Sequence, residues 1–79
     1  MPTALRSGPY RFFFYSRDIT EPPHVHVERE DKVAKIWIDP VVVERDGRFR
    51  PAELNDIVLV LEYRQELLAA WQQHVAESQ

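Results

Sequence analysis

The sequence predicts an α+β domain: a small, mostly antiparallel sheet of three or four strands, with one long C-terminal helix packed on one face. Residues 1–50 hold four short segments rich in β-branched and aromatic side chains, separated by proline, glycine and charged residues. Residues 52–79 contain neither glycine nor proline and place apolar side chains at helical spacing. We therefore expect residues 1–79 to form a single domain with a β-rich part (1–50) and a helical part (51–79).

Four strands are expected in chain order. The first is aromatic on both of its faces, as in a central strand. The second begins directly after Pro22 and Pro23, which stiffen the backbone before His24. The third follows a charged turn, and the fourth is a shorter segment after Pro40. These strands are expected at residues 10–16, 24–28 or 29, 33–39 and 41–44.

The second and third strands each divide into two sets of side chains, because successive strand residues point to opposite faces. One set is apolar and is expected to face the core: Val25, Val27, Ala34, Ile36 and Ile38. The other set is expected on the opposite face: His24, His26, Glu28, Lys35 and Trp37. The sequence thus predicts that two of the three histidines project side by side from one face of the sheet.

The helix is expected to begin at Pro51, because proline suits the first helical turn and Glu53 and Asp56 favour its positive end. An unbroken helix of about 25 residues would be about 37 Å long, which exceeds what strands of six or seven residues can cover. We expect either a kink near residues 63–65 or packing of the last turns on another molecule.

Composition narrows the classes of function. The chain has no cysteine, which excludes disulfides, thiolate zinc sites and cysteine nucleophiles, and it has no apolar run as long as a signal peptide or membrane span. We therefore expect a cytoplasmic protein that does not bind a membrane. The net charge is −3, and residues 51–79 carry five acids against only Arg64. This balance argues against strong non-specific binding of nucleic acid, although it leaves room for a local patch that binds RNA.

The histidine pair predicts a catalytic site that would cleave RNA without a metal. His24 and His26 would act as acid and base, and Lys35 would stabilise the phosphorane. Arg29 or Tyr15 would assist.

Two other chemistries and a structural role fit the same pair. His24 and His26 would hold a divalent metal together with Glu28, and no other cofactor is expected. They would alternatively bind a phosphate or a carboxylate. In the structural role, their ring nitrogens bond to the backbone or to Glu28, and Trp37 lies nearby. The spacing of the two residues does not choose among these alternatives.

Further residues are candidates for binding. The aromatic run that ends at Tyr15 resembles a base-stacking platform, although core packing also explains it. A basic cluster between the sheet and the helix, formed by Arg45, Arg48 and Arg50, fits either a phosphate contact or a solvated turn. The apolar residues far along the acidic helix fit either a core or a dimer seam, but their position favours contact with a protein partner. They are Leu67, Trp71 and Val75. So small a domain buries a modest core, which favours association with a partner. We expect that partner to be a second copy of the chain or a cognate small protein.

Three motifs carry a family resemblance: residues 10–16 (YRFFFYS), 21–27 (EPPHVHV) and 34–37 (AKIW), with residues 53–55 and Trp71 in the helical part. Together they resemble a family of small bacterial proteins described as a domain of unknown function, family 4160. The resemblance covers nearly the whole chain. Members of this family resemble small operon-borne proteins, and the resemblance implies a protein-interaction component of a toxin–antitoxin type module.

Overall fold

The computed structural model describes residues 3–15 and 19–77, which form an α+β arrangement of five strands and two helices. Each strand pairs antiparallel with its neighbour in sequence, so the sheet order is β1-β2-β3-β4-β5. The predicted class is confirmed, while both element counts differ from the prediction. The strands are β1 (Thr3–Ser7), β2 (Tyr10–Phe13), β3 (His24–Arg29), β4 (Lys32–Ile38) and β5 (Val41–Arg45), and the helices are α1 (Pro51–Tyr63) and α2 (Glu66–Glu77).

The fifth strand is β1, which pairs with β2 at one edge of the sheet. It was not predicted because its residues do not alternate cleanly: Ala4 and Leu5 are both half-buried, and the pairing is irregular between Thr3 and Leu5. Edge strands need less apolar surface than central ones, so their sequence signal is weak. Ser16, the predicted end of the next strand, lies outside the described residues.

Two helices replace the single long helix that was expected. The backbone of Arg64 leaves helical geometry, with φ −103° and ψ 66°, and α2 begins two residues later. This break lies within the predicted kink region, residues 63–65. It lets Leu61 before the break and Leu67 after it both be buried. Among the helices of the described chain, none is long and apolar enough to cross a membrane.

The core lies between the sheet and the helices. Val25 lies opposite Ile36 and Val27 opposite Ala34, so the predicted core face of the second and third predicted strands is confirmed. The first four residues of β3 are all buried, which means that both faces of this strand are covered. The buried core residues are Tyr10, Phe12, Phe14, Val25, Val27, Ala34, Ile36, Phe49, Ile57, Leu61, Leu67 and Trp71.

Candidate functional site

The histidine face is the sheet face that carries His24, His26, Glu28, Lys35 and Trp37. In the register of β3 and β4, His24 lies opposite Trp37 and His26 lies opposite Lys35. Directly opposed residues of an antiparallel pair project to the same side of a sheet. The structure therefore brings the predicted set together on one face.

His24 is held by the segment that precedes its strand. Its Nδ1 lies 2.9 Å from the carbonyl oxygen of Pro22. Because a carbonyl oxygen only accepts, Nδ1 carries a proton and donates it. Its Nε2 lies 3.7 Å from Oε2 of Glu21. The side chain is 0 % exposed. A ligand therefore does not reach His24 unless the neighbouring segment moves.

His26 belongs to an aromatic cluster. Its ring centroid lies 4.4 Å from that of Tyr15, 5.6 Å from that of Phe13 and 5.3 Å from that of His24. The two imidazoles are nearly perpendicular, with an interplanar angle of 82°. His26 is 5 % exposed and lines an open groove together with Tyr15. Of the pair, His26 is thus the histidine that borders solvent-accessible space.

Lys35 is engaged by a carboxylate and an aromatic ring. Its Nζ donates to both oxygens of Glu21, at 2.8 and 3.1 Å, and lies 4.8 Å from the ring centroid of Trp37. The predicted catalytic role of Lys35 would therefore require its ammonium to exchange Glu21 for a substrate phosphate.

Glu28 and Arg29 make ion pairs of their own. Oε1 of Glu28 lies 3.1 Å from a guanidinium nitrogen of Arg11 on β2, and Arg29 donates to Oε2 of Glu53 at 3.3 Å. Arg29 is thus directed toward α1 and away from the histidines. Within residues 3–15 and 19–77, no three His, Cys, Asp or Glu side chains are grouped to hold a metal ion. The metal site therefore stays a prediction, because the described residues group no third ligand with His24 and His26.

Leu67 and Trp71, predicted to contact a partner, lie in the core of the chain, at 2 % and 4 % exposure. The ring of Trp71 lies 5.5 Å from that of Phe14 and 5.0 Å from that of His24. The break between the helices turns α2 back over the sheet and buries these side chains. Helical spacing alone does not distinguish such a core position from an interface.

His74 was not predicted to belong to a site, yet it connects α2 to the histidine face. Its Nε2 donates to the backbone carbonyl of Tyr15 at 3.2 Å, and its ring packs 5.4 Å from that of Phe14. This contact holds the backbone at Tyr15, whose ring packs against His26, to α2. No periodicity in the sequence could have indicated it, because the partner is a backbone atom 59 residues away.

The outer face of α1 carries exposed apolar side chains among acids. Leu59 is 51 % exposed and Tyr63 is 81 % exposed, one helical turn apart. Asp56 and Glu62 on the same helix are also exposed, and α1 contains no lysine or arginine. We call the residues Asp56, Leu59, Glu62 and Tyr63 the α1 face.

The family described as Domain of unknown function (DUF4160) matches residues 10–72. This span runs from β2 into α2 and includes both histidines of β3. Searches of curated proteins and of solved structures gave no match. Because the family matches well over half of the chain, the protein belongs to the DUF4160 family.

Proposed function

We propose that this chain is a protein-interaction component of a two-protein module of the toxin–antitoxin type, and that it binds its partner through the α1 face. The observation that carries this proposal is the exposed pair Leu59 and Tyr63, whose side chains are 51 % and 81 % exposed one turn apart on the same helix. Scattered single apolar residues are normal on a protein surface, whereas neighbouring ones favour an interaction site. Tyrosine is also enriched among the residues that dominate binding energy.

The charge of the α1 face favours a basic partner. Asp56 and Glu62 flank the apolar pair, and the helix offers no positive side chain. A symmetric dimer through this face would oppose acid to acid, because a two-fold interface uses the same surface on both subunits. We therefore take the occupant to be a second, different small protein that presents lysines or arginines around an apolar segment.

The protein encoded next to this chain's gene is the probe for the interaction. Its affinity for the chain is measured by calorimetry at low and high salt. Replacing Leu59 and Tyr63 with serine should weaken binding about tenfold or more, since central apolar contacts carry most interface energy. Lysine at Asp56 and Glu62 should weaken it further and reduce the salt dependence.

Val42 provides a matched control for these variants. It is 50 % exposed, nearly as much as Leu59, but lies on the edge strand β5. Val42→Ser should change the affinity less than about twofold, while circular dichroism checks that every variant stays folded. The proposal would be contradicted if Val42→Ser lost as much affinity as the α1-face variants, or if the neighbouring protein did not bind at all.

Growth of cells that express the two genes tests the module itself. One of the two proteins should arrest growth when expressed alone, and the pair should not. The Leu59→Ser and Tyr63→Ser variant should then restore the arrest. Normal growth under every combination would contradict the toxin–antitoxin assignment while leaving the binding measurement valid.

A metal-independent ribonuclease is the second candidate function. The observation in its favour is that the imidazoles of His24 and His26 lie 5.3 Å apart, with Lys35 on the same face. An assay with fluorescent RNA and excess chelator should detect cleavage that His26→Ala abolishes. His24→Asn keeps a donor for the Pro22 carbonyl and removes Nε2. Cleavage that both variants retain would exclude the pair as acid and base.

A further inference from the structure

An open groove of about 430 Å³ lies beside His26 on the histidine face. This volume is in the range of pockets that hold small ligands. One wall is aromatic and one wall is basic, although the residues come from distant parts of the sequence. The lining residues are Tyr15, His26, Val33, Arg45, Asp46, Gly47 and Arg48.

The register of the sheet brings the first arginine to this groove. Lys35 lies opposite His26 on one side and opposite Arg45 on the other. The pairing of β4 with β5 is irregular between Lys35 and Ile36, and this irregularity places Arg45 instead of Glu44 opposite Lys35. His26 and Arg45 consequently line the same groove, from β3 and β5.

A tight turn after β5 brings the second arginine. The carbonyl of Asp46 accepts the backbone N–H of Phe49 at 3.0 Å, and the side chain of Asp46 accepts that of Arg48 at 3.0 Å. Gly47 has a φ of 61°, and a Cβ there would overlap the backbone of Val33. The turn thus packs directly against β4, and both arginines border the groove.

The two guanidinium groups are suited to a phosphate. Their carboxylate partners, Glu44 at 3.6 Å from Arg45 and Asp31 at 3.5 Å from Arg48, are themselves solvent-accessible. Such surface pairs contribute little free energy, so a phosphate that accepts bidentate hydrogen bonds can replace them. Asp46 lies at the same rim and disfavours a highly charged ligand. A single phosphate fits this balance better than a triphosphate.

The opposite wall is suited to a flat ring. Tyr15 is half-buried, whereas Phe12, Phe13 and Phe14 are buried and cannot stack on a ligand. Tyr15 is held edge-on against His26 with ring centroids 4.4 Å apart. An ordered aromatic ring at the side of a basic groove favours stacking on a nucleobase.

We propose that this groove binds a nucleotide: Arg45 and Arg48 bind its phosphate, and Tyr15 stacks on its base. The site is separate from the α1 face and does not depend on the partner proposed above. Its ligand is either a free mononucleotide or one unit of single-stranded RNA, which share this chemistry.

Titration by NMR or calorimetry with AMP, UMP, inorganic phosphate and a five-nucleotide single-stranded RNA tests the site. The mononucleotides should bind more tightly than inorganic phosphate and should shift the resonances of Tyr15 and His26. Replacing Arg45 and Arg48 with glutamine should weaken nucleotide binding about tenfold or more. The matched control is the double variant with glutamine at Arg6 and Arg64, two exposed arginines outside the groove, which has the same net charge.

The variant Tyr15→Leu distinguishes the contribution of the aromatic wall to binding from that of the basic wall. It should weaken nucleotide binding about tenfold, because base stacking is lost, and leave binding of inorganic phosphate unchanged. Tighter binding of the RNA than of the mononucleotides identifies RNA as the ligand, and equal binding identifies a free nucleotide. Absence of nucleotide binding at millimolar concentration, equal affinity for inorganic phosphate and AMP, or equal losses in the groove and control variants would overturn the proposal.

Discussion

Lys35 donates to both carboxylate oxygens of Glu21, with Nζ 2.8 Å from Oε1 and 3.1 Å from Oε2. This contact ties the middle of β4 to the segment that leads into β3. The same carboxylate lies 3.7 Å from Nε2 of the fully buried His24. Glu21 therefore contacts two residues of the histidine face: Lys35, which is partly exposed, and His24, which is buried.

Removing this contact should destabilise the fold. Lys35→Met should lower the free energy of unfolding at pH 7 by about 1–2 kcal/mol, because the bond is charge-assisted but one partner is partly solvated. Urea unfolding of Lys35→Met, Glu21→Gln and the double variant gives the coupling energy between the two side chains. The same cycle on Lys32 and Glu53, which are 3.4 Å apart, should give a smaller coupling. A coupling near zero for the first pair would show that Glu21 is not anchored by Lys35.

Acid should weaken the start of α1 through Glu53. The Arg50 backbone N–H donates to Glu53 at 2.9 Å and, with Lys32 and Arg29, holds the pKa of this carboxyl below its usual value despite the opposing effect of burial. A lowered folded-state pKa stabilises the fold above the unfolded-state pKa, and this stability is lost as the pH falls through the folded-state value. Glu53→Gln should therefore be less stable than the parent chain at pH 7, and the difference should shrink below about pH 4.

Thermal unfolding of the Glu53→Gln variant from pH 7 to pH 3 tests this dependence. Glu77→Gln, at the exposed end of α2, is the control for the loss of one carboxylate. A stability difference for Glu53→Gln that stays constant over this pH range would contradict the role of its charge.

The alternation of residues in β3 and β4 was sufficient to predict the histidine face. A period of two places Val25 and Val27 against the core, and it leaves His24 and His26 on the other side. The start of α1 was equally predictable from Pro51, since proline and an acid in the first turn are local signals.

Other features depend on tertiary contacts that leave no local pattern. The burial of Trp71 follows from the turn of α2 over the sheet, and its helical spacing would be the same at an interface. The groove beside His26 depends on how closely the turn at Gly47 approaches Val33. Spacing along the chain predicts which residues share a face, but it does not predict which face the second helix covers.

Truncation of Leu67 should test its position in the core. Leu67→Ala should lower the free energy of unfolding by about 2–5 kcal/mol, because it leaves a cavity beneath α2. Leu59→Ala is the matched control, since this leucine is half exposed, and it should change stability by less than about 0.5 kcal/mol. Urea unfolding followed by circular dichroism measures both. An unchanged stability for Leu67→Ala, with weakened association, would instead assign Leu67 to an interface.

The two glycines provide a test of how closely the turn after β5 packs. Gly8 and Gly47 both have positive φ, 56° and 61°, so alanine at either should cost about 1–2 kcal/mol of backbone strain. A Cβ at Gly8 would meet nothing within 4 Å, whereas one at Gly47 would overlap the carbonyl of Val33. Gly47→Ala should therefore lower the free energy of unfolding by about 1–3 kcal/mol more than Gly8→Ala, because the turn must move away from β4. Chemical denaturation of the two variants measures the difference, and equal losses would mean that the turn does not pack against β4 in solution.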